Sequence, residues 1–249
     1  LKAIGVIGYH HTGKTTLVTA IIAELKRRGF SVVSIKDIHS EAYRADTEGK
    51  NTALHARAGS EAVFAKGIYD SALLFPHSLE LKEMLGYLKA DFLVIEGMKD
   101  APIPKLVCAK DTAQLDELID GTCIGISGMV ADELTTYAGL PVFCLKQDLD
   151  AIMETVLSKS FDMLPLSDPE CCSACGYTCT LMAERIIQGK ALRSDCVLDG
   201  NPDLKLRIGE QEIVIVPFVQ KVLKDTIIAL VDNLKGIDPH ATINIEIKR

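Results

Sequence analysis

The chain has 249 residues, 48% apolar and 24% charged, a composition that supplies one large core or two smaller ones and argues against disorder. Its formal net charge of -7 and pI near 5.4 argue against a broad nucleic-acid surface, which needs clustered Lys and Arg. No apolar run approaches the ~18 residues that span a bilayer, and the first strand begins at once with no room for a signal peptide, so a cytoplasmic protein without membrane contact is expected. Leu1 stands where Met is usual, which points to an unusual start codon or a trimmed end.

In chain order, KAIGVIG is a short, continuously apolar strand, and GKTTLVTAIIAELKRRG is a helix closed by Gly29. FSVVSIK is a second strand, and SALLF, DFLVIEG, KLVCA, GTCIGIS and PVFCL are further strands. Helical patterns at SLELKEMLGYLK, TAQLDELI and DLDAIMETVLSKS lie between some of them. Apolar strands alternating with helices predict an α/β fold with a mostly parallel sheet covered on both faces. Ligands of such sheets sit at the carboxyl ends of the strands.

The loop Gly8-Tyr9-His10-His11-Thr12-Gly13-Lys14-Thr15 fits G-x-x-x-x-G-K-[ST] and lies after a strand and before a helix. Gly8, His11, Thr12, Gly13, Lys14, Thr15 and Thr16 are therefore the candidate nucleotide-binding residues. Glycines let the backbone wrap phosphates, amides at the helix start point at the anion, Lys14 reaches the terminal phosphates, and Thr15 ligates magnesium. His10 and His11 are adjacent in a tight loop and point different ways, so backbone donation is expected of them rather than metal binding. An acid must complete the magnesium site, and two are candidates. Glu96 ends the strand of DFLVIEG, and Asp37 follows that of SVVSIK; Asp91 precedes its strand and belongs at the far edge. Lys14 and Glu96 are the candidate catalytic pair.

The strings GYHHTGKTTL, IKDIHS, DTEGKNTALHARAGSEAV from Asp46 and VIEGMK together resemble the molybdopterin-guanine dinucleotide biosynthesis protein B family over roughly residues 1 to 160. The resemblance implies a P-loop protein, similar to GTPases, that assists attachment of a guanine nucleotide to molybdopterin. It implies nucleotide contacts from Gly8 to Thr16, and Asp46, Gly49 and Lys50 near a second anionic ligand. Asn51 stands where the family pattern usually has an acid, and Asp37 where it usually has a histidine. The nearest base-reading motif is Leu145-Lys146-Gln147-Asp148, with Leu in place of Asn; Asp148 reads better as a helix-start acid.

Eight cysteines complete the inventory. Cys108, Cys123 and Cys144 sit singly in apolar runs, as small core residues do. After a turn-rich linker, FDMLPLSDPE, the segment CCSACGYTCT places Cys172, Cys175 and Cys179 as C-x2-C-x3-C, with Cys196 after a helix. This spacing favours a 4Fe-4S cluster over tetrahedral Zn2+, in a site that would be empty if the protein is handled in air. It also resembles a small iron-sulfur domain of corrinoid and carbon-monoxide-related enzymes. That family commonly has one more residue before its third cysteine, which leaves Cys171 as an alternative ligand. A cluster serving only as a structural staple is the competing expectation. The last segment predicts a hairpin (LKLRI and EIVIV), a helix from Pro217 and an alternating strand TINIEIK, a small ββαβ unit.

Three regions are therefore expected: a P-loop domain over 1–160, a linker with the cysteine segment over 161–200, and an α+β unit over 201–249. The leading functional expectation is a GTP-binding protein of molybdenum or tungsten cofactor maturation, with Mg2+, and with molybdopterin or its nucleotidyltransferase as partner. It would be a weak GTPase at best, because no Arg or Gln is evidently placed to stabilise the transition state or orient water. The alternatives are an ATP-driven iron-sulfur electron-transfer or activating protein, and an adaptor in which nucleotide and metal only stabilise the fold. A homodimer is expected on general grounds, since such proteins often bury a sheet edge or helix face between subunits.

Overall fold

The computed structural model describes residues 1–166, 175–196, 198, 204, 206–209, 211–213, 217–234 and 243–245. Strand β1 (Lys2–Gly8) is fully buried from Ala3 to Ile7 and is followed by helix α1 (Lys14–Arg27) and strand β2 (Val32–Lys36). Then come α2 (Asn51–Arg57), β3 (Val63–Lys66), β4 (Ser71–Leu74) and α3 (Leu81–Leu85). Next are β5 (Phe92–Glu96), β6 (Lys105–Ala109), α4 (Thr112–Leu118), β7 (Cys123–Gly128), β8 (Thr136–Tyr137), β9 (Leu140–Pro141) and α5 (Leu145–Lys159). Helix α6 (Cys179–Ile187), strands β10 (Leu206–Ile208) and β11 (Gln211–Ile213), and helix α7 (Pro217–Val231) complete the order.

Five strands form one sheet in the order β2-β5-β1-β6-β7, with every pairing parallel. Strand alternation divides its side chains between two layers. Ile4, Val6, Phe92, Val94, Leu106 and Cys108 face α1, α5 and α6 through Leu17, Ile21, Ile152, Met153, Met182 and Ala183. On the other face Ile7, Val107 and Ala109 meet Leu115 and Leu118 of α4, while Ala3, Leu93 and Ile95 meet Ile103, with Leu81 and Leu85 of α3 alongside. Burial on both faces explains why these strands read as unbroken apolar runs. Each fully buried Leu, Ile or Phe contributes about 1.5–3 kcal/mol.

Some expected elements differ. SALLF forms β4, but it pairs antiparallel with β3 in a separate hairpin, not in the parallel sheet. Its short polar-flanked run has no crossover helix long enough to return it to the sheet. PVFCL does not form a strand of the main sheet: Pro141 ends β9, paired with β8, and Val142 makes one isolated parallel bridge to Ile126, because Pro141 lacks a donor and helix α5 begins at Leu145. Of SLELKEMLGYLK, only Leu81–Leu85 is helical; the turn closes at Gly86. The hairpin and helix α7 of the carboxyl-terminal unit are present. Its expected last strand lies mostly outside the described residues, and Ile243, Asn244 and Ile245 carry no strand.

The stretch expected as a linker packs firmly at its start. Phe161 and Leu164 are buried in the same core cluster as Ile4 and Ile152, together with Met182, Ala183, Ile187 and Cys196. Met163 N–H donates to Leu1 O at 3.0 Å, Lys159 Nζ to Ile187 O at 2.9 Å, and the Arg193 guanidinium to the carbonyls of Asp162 and Met163. Helix α6 is thus continuous with the core of the sheet. At the sheet's amino edge, Lys105 is 1% exposed, donates to Thr122 Oγ1 at 2.9 Å and lies 3.5 Å from Asp120. Asp91 is at this same edge, accepting from Ser31 N–H and Oγ, as its place before β5 implies.

Candidate functional site

Strands β1, β5 and β2 end together at the carboxyl edge, where Val6 pairs with Glu96 and Glu96 with Lys36. From this edge the loop after β1 turns into α1. Gly13 holds the position before the helix in a left-handed conformation, φ 95°, and its carbonyl accepts the first helical bond from Leu17 N–H at 3.0 Å. Thr12 is buried and its hydroxyl donates to Tyr9 O at 2.9 Å, bracing the loop from within. His10 and His11 are exposed, as the tight loop requires. Thr16 is exposed on the first turn of α1, and its carbonyl accepts from the Thr19 hydroxyl.

Two side chains carry the polar chemistry of the loop. Lys14 Nζ folds back to donate to Tyr9 O at 2.5 Å. Burial pushes its ammonium below the ordinary lysine value, and the charge of Glu96 works against that drop. Thr15 Oγ1 donates to Glu96 Oε1 at 2.8 Å. Glu96 is 7% exposed; burial tends to raise its carboxyl, but hydrogen bonds from Lys36 and Thr15 outweigh that and hold it below the usual carboxylate range. A hydroxyl and an ionised carboxylate oxygen, both hard donors and in direct contact, fit Mg2+.

Asp37, the other magnesium candidate, is turned to different partners. Its N–H donates to Glu96 O at 2.9 Å, while its Oδ2 accepts from Met98 N–H at 3.2 Å and lies 2.8 Å from His39 Nε2. Among the described residues no hydrogen bond joins it to Thr15, so Glu96 is the acid that the structure brings to the loop. Asp46, Gly49 and Lys50 lie on the loop before α2; Asp46 Oδ1 accepts from Thr47 N–H at 2.7 Å, and Lys50 N–H donates to Thr47 O at 3.2 Å. Among the described residues no hydrogen bond or ion pair ties them to the phosphate loop.

Asp148 is a helix-start acid. Its Oδ2 accepts from Cys144 N–H at 2.8 Å, and its own N–H donates to Cys144 O at 2.8 Å. Asp148→Ala is expected to cost about 1 kcal/mol, a fall in Tm of about 2–4 °C, with GTP and ATP binding unchanged. A loss confined to GTP would make it a base reader instead.

Cys172 lies outside the described residues. Cys196 is buried within the core cluster, and Cys175 and Cys179 pack against that cluster, as do Tyr177 and Leu198. Thr178 caps α6 by accepting from Leu181 N–H at 3.2 Å. Burial pushes the Cys196 thiol above its ordinary value, and the charges of Cys175 and Cys179 act in the same direction on it. Among the described residues, no three His, Cys, Asp or Glu side chains are grouped to hold a metal ion.

Sequence reading missed two partners at the site. Lys36 donates to Glu96 Oε1 at 2.5 Å, and its signal was a charge at the end of a strand that lies next to the one ending in Glu96. Tyr9 OH donates to Glu117 of α4, a link between residues too distant in sequence to leave a pattern.

The family model for molybdopterin guanine dinucleotide synthesis protein B matches residues 3–130, just over half of the chain and the whole of the phosphate-loop edge. The chain belongs to that family. A putative molybdopterin-guanine dinucleotide biosynthesis adapter protein of Methanocaldococcus jannaschii is 30% identical over 99% of this chain and 97% of its own length. A probable adapter protein of the same description from Bacillus subtilis is 30% identical over 56% of this chain and 83% of its own length. The crystal structure of Bacillus subtilis MobB superposes with a TM-score of 0.53 at 26% identity, covering 62% of this chain and 98% of that one. The match to the Methanocaldococcus relative therefore extends through the carboxyl-terminal third, whereas nearly the whole Bacillus structure matches less than two thirds of this chain. Among the described residues, no helix is long and apolar enough to cross a membrane.

Proposed function

We propose that the chain binds GTP with Mg2+ at Gly8–Thr16 and assists attachment of a guanine nucleotide to molybdopterin, serving molybdenum or tungsten cofactor biosynthesis. The observation that carries this reading is the contact of Thr15 with Glu96 at the carboxyl edge of the sheet, in a family whose relatives are described as molybdopterin-guanine dinucleotide biosynthesis adapter proteins. Loop amides and Lys14 hold the phosphates, and Thr15 and Glu96 would hold the cation, which supplies charge neutralisation between the terminal phosphates. Hydrolysis is slow in this reading, since no Arg or Gln is assigned to the transition state. The partners are GTP, molybdopterin or its nucleotidyltransferase, and a second copy of the chain.

The test is formation of molybdopterin guanine dinucleotide by the nucleotidyltransferase with and without this protein. Stimulation with GTP and not with ATP supports the reading. No effect on product formation contradicts it, and ATP-specific behaviour moves the electron-transfer alternative forward.

For the cysteine segment we propose a site formed by Cys172, Cys175, Cys179 and Cys196, resting on sequence spacing. Protein purified without oxygen is expected to carry about four irons per chain, with a visible absorption that bleaches on reduction. One zinc per chain and no iron would replace the cluster with a structural tetrahedral site; absence of both would remove the metal altogether.

A further inference from the structure

The ammonium of Lys36 is unassigned by the phosphate-loop motif, yet it sits at the centre of the site. Lys36 and Glu96 are register neighbours on adjacent parallel strands, so their side chains leave the same edge of the sheet side by side. Both the Thr15 hydroxyl, at 2.8 Å, and Lys36 Nζ, at 2.5 Å, reach the same oxygen, Glu96 Oε1. Lys36 keeps a side-chain exposure of 56% against 9% for Glu96, so its stem is free to swing while the carboxylate stays fixed. The charge of Lys36 also opposes that of Lys14, which means two ammonium groups approach one carboxylate and leave a surplus positive charge facing solvent.

We propose that Lys36 is a second phosphate-binding lysine, parked on Glu96 in the free protein and turned to the terminal phosphate of a bound nucleoside triphosphate. The inference rests on the reading that Gly8–Thr16 binds such a nucleotide. A cation held by Thr15 and Glu96 would supply charge neutralisation at the terminal phosphates and would compete with Lys36 for the same oxygen, Glu96 Oε1. Lys36 would then lose its counter-ion at the carboxyl edge of the sheet, where the phosphate loop leaves β1. The loop amides and the start of α1 take the inner phosphates, so Lys36 is placed to distinguish a triphosphate from a diphosphate.

Calorimetric titration of wild type, Lys36→Met and Lys36→Arg with GTP and GDP, each with Mg2+, tests this. Lys36→Met keeps the stem and is expected to weaken GTP about tenfold, the loss of one charged hydrogen bond, with GDP within about twofold. Lys36→Arg is expected to restore most of the GTP affinity, because it keeps the charge and the donors. Lys36→Met that binds GTP as tightly as wild type, or loses GTP and GDP equally, overturns the role of Lys36 alone. Wild-type protein that binds neither nucleotide overturns the phosphate-loop reading and this inference with it.

Discussion

Lys14→Ala is expected to weaken GTP binding by about a hundredfold or more, roughly 3 kcal/mol for a cation that donates to two phosphate oxygens. The structure explains why the loss would be specific to binding. Among the described residues Lys14 Nζ hydrogen-bonds to one carbonyl, Tyr9 O, and that carbonyl keeps the Thr12 hydroxyl at 2.9 Å when Lys14 is removed. Alanine is also the best helix former for the first turn of α1. The thermal midpoint should therefore stay within about 2 °C of wild type, a change of about 0.5 kcal/mol. Burial already pushes the Lys14 ammonium down from its ordinary value, and an anion beside it would reverse that shift, so phosphate binding and the charged form of Lys14 support one another. Unchanged GTP affinity in Lys14→Ala, measured by calorimetry, would show that nucleotide does not bind in the loop.

Gly8→Ala is the complementary case, a change of one methyl that should damage the fold as well as the site. A Cβ at Gly8 would stand 2.2 Å from Cys108 O and 2.9 Å from Thr12 Oγ1, at a φ of +150°. The carbonyl belongs to β6, whose Cys108 is in register with Gly8, so relief requires separating two central strands or displacing the loop. The expected cost is about 3 kcal/mol or more, a fall in Tm of about 6–12 °C, together with loss of nucleotide binding. Gly49→Ala is the control: its φ of +83° brings strain, but nothing lies within 4 Å of the added carbon, so about 1–2 kcal/mol is expected. If Gly8→Ala melted with wild type and Gly49→Ala did not, the close approach of β1 to β6 would be wrong.

The difference between what was legible and what was not follows from the range of the interactions. The phosphate loop and β1, β5, β6 and β7 could be read because local patterns encode them: an apolar run buried on both faces, then a glycine-bounded loop opening a helix. Glu96 could be named as a candidate because a strand's last residue emerges at the ligand edge, but Asp37 met the same criterion. Only the pairing of β2 with β5 and the reach of Thr15 separated them, and strand order is not written in any one segment. SALLF failed for a related reason. Its composition suits a strand, but composition is silent on which neighbour it pairs with, and Val63–Lys66 was closer than any strand of the main sheet. Asp148 was read correctly because helix capping is local. Packing of α6 against Ile152 and Met153 was not legible, since the turn residues before it read as a linker whatever Phe161 and Leu164 contact.

The most direct test of the central claim is calorimetry of GTP and ATP binding to wild-type protein, purified without oxygen, in Mg2+ and again with Mg2+ removed by chelation. The expected result is one site per chain, tighter for GTP than for ATP, and weakened at least about tenfold without the cation because Thr15 and Glu96 would then have nothing to bridge to phosphate. Binding of neither nucleotide, or binding indifferent to Mg2+, would contradict a magnesium-nucleotide site at Gly8–Thr16.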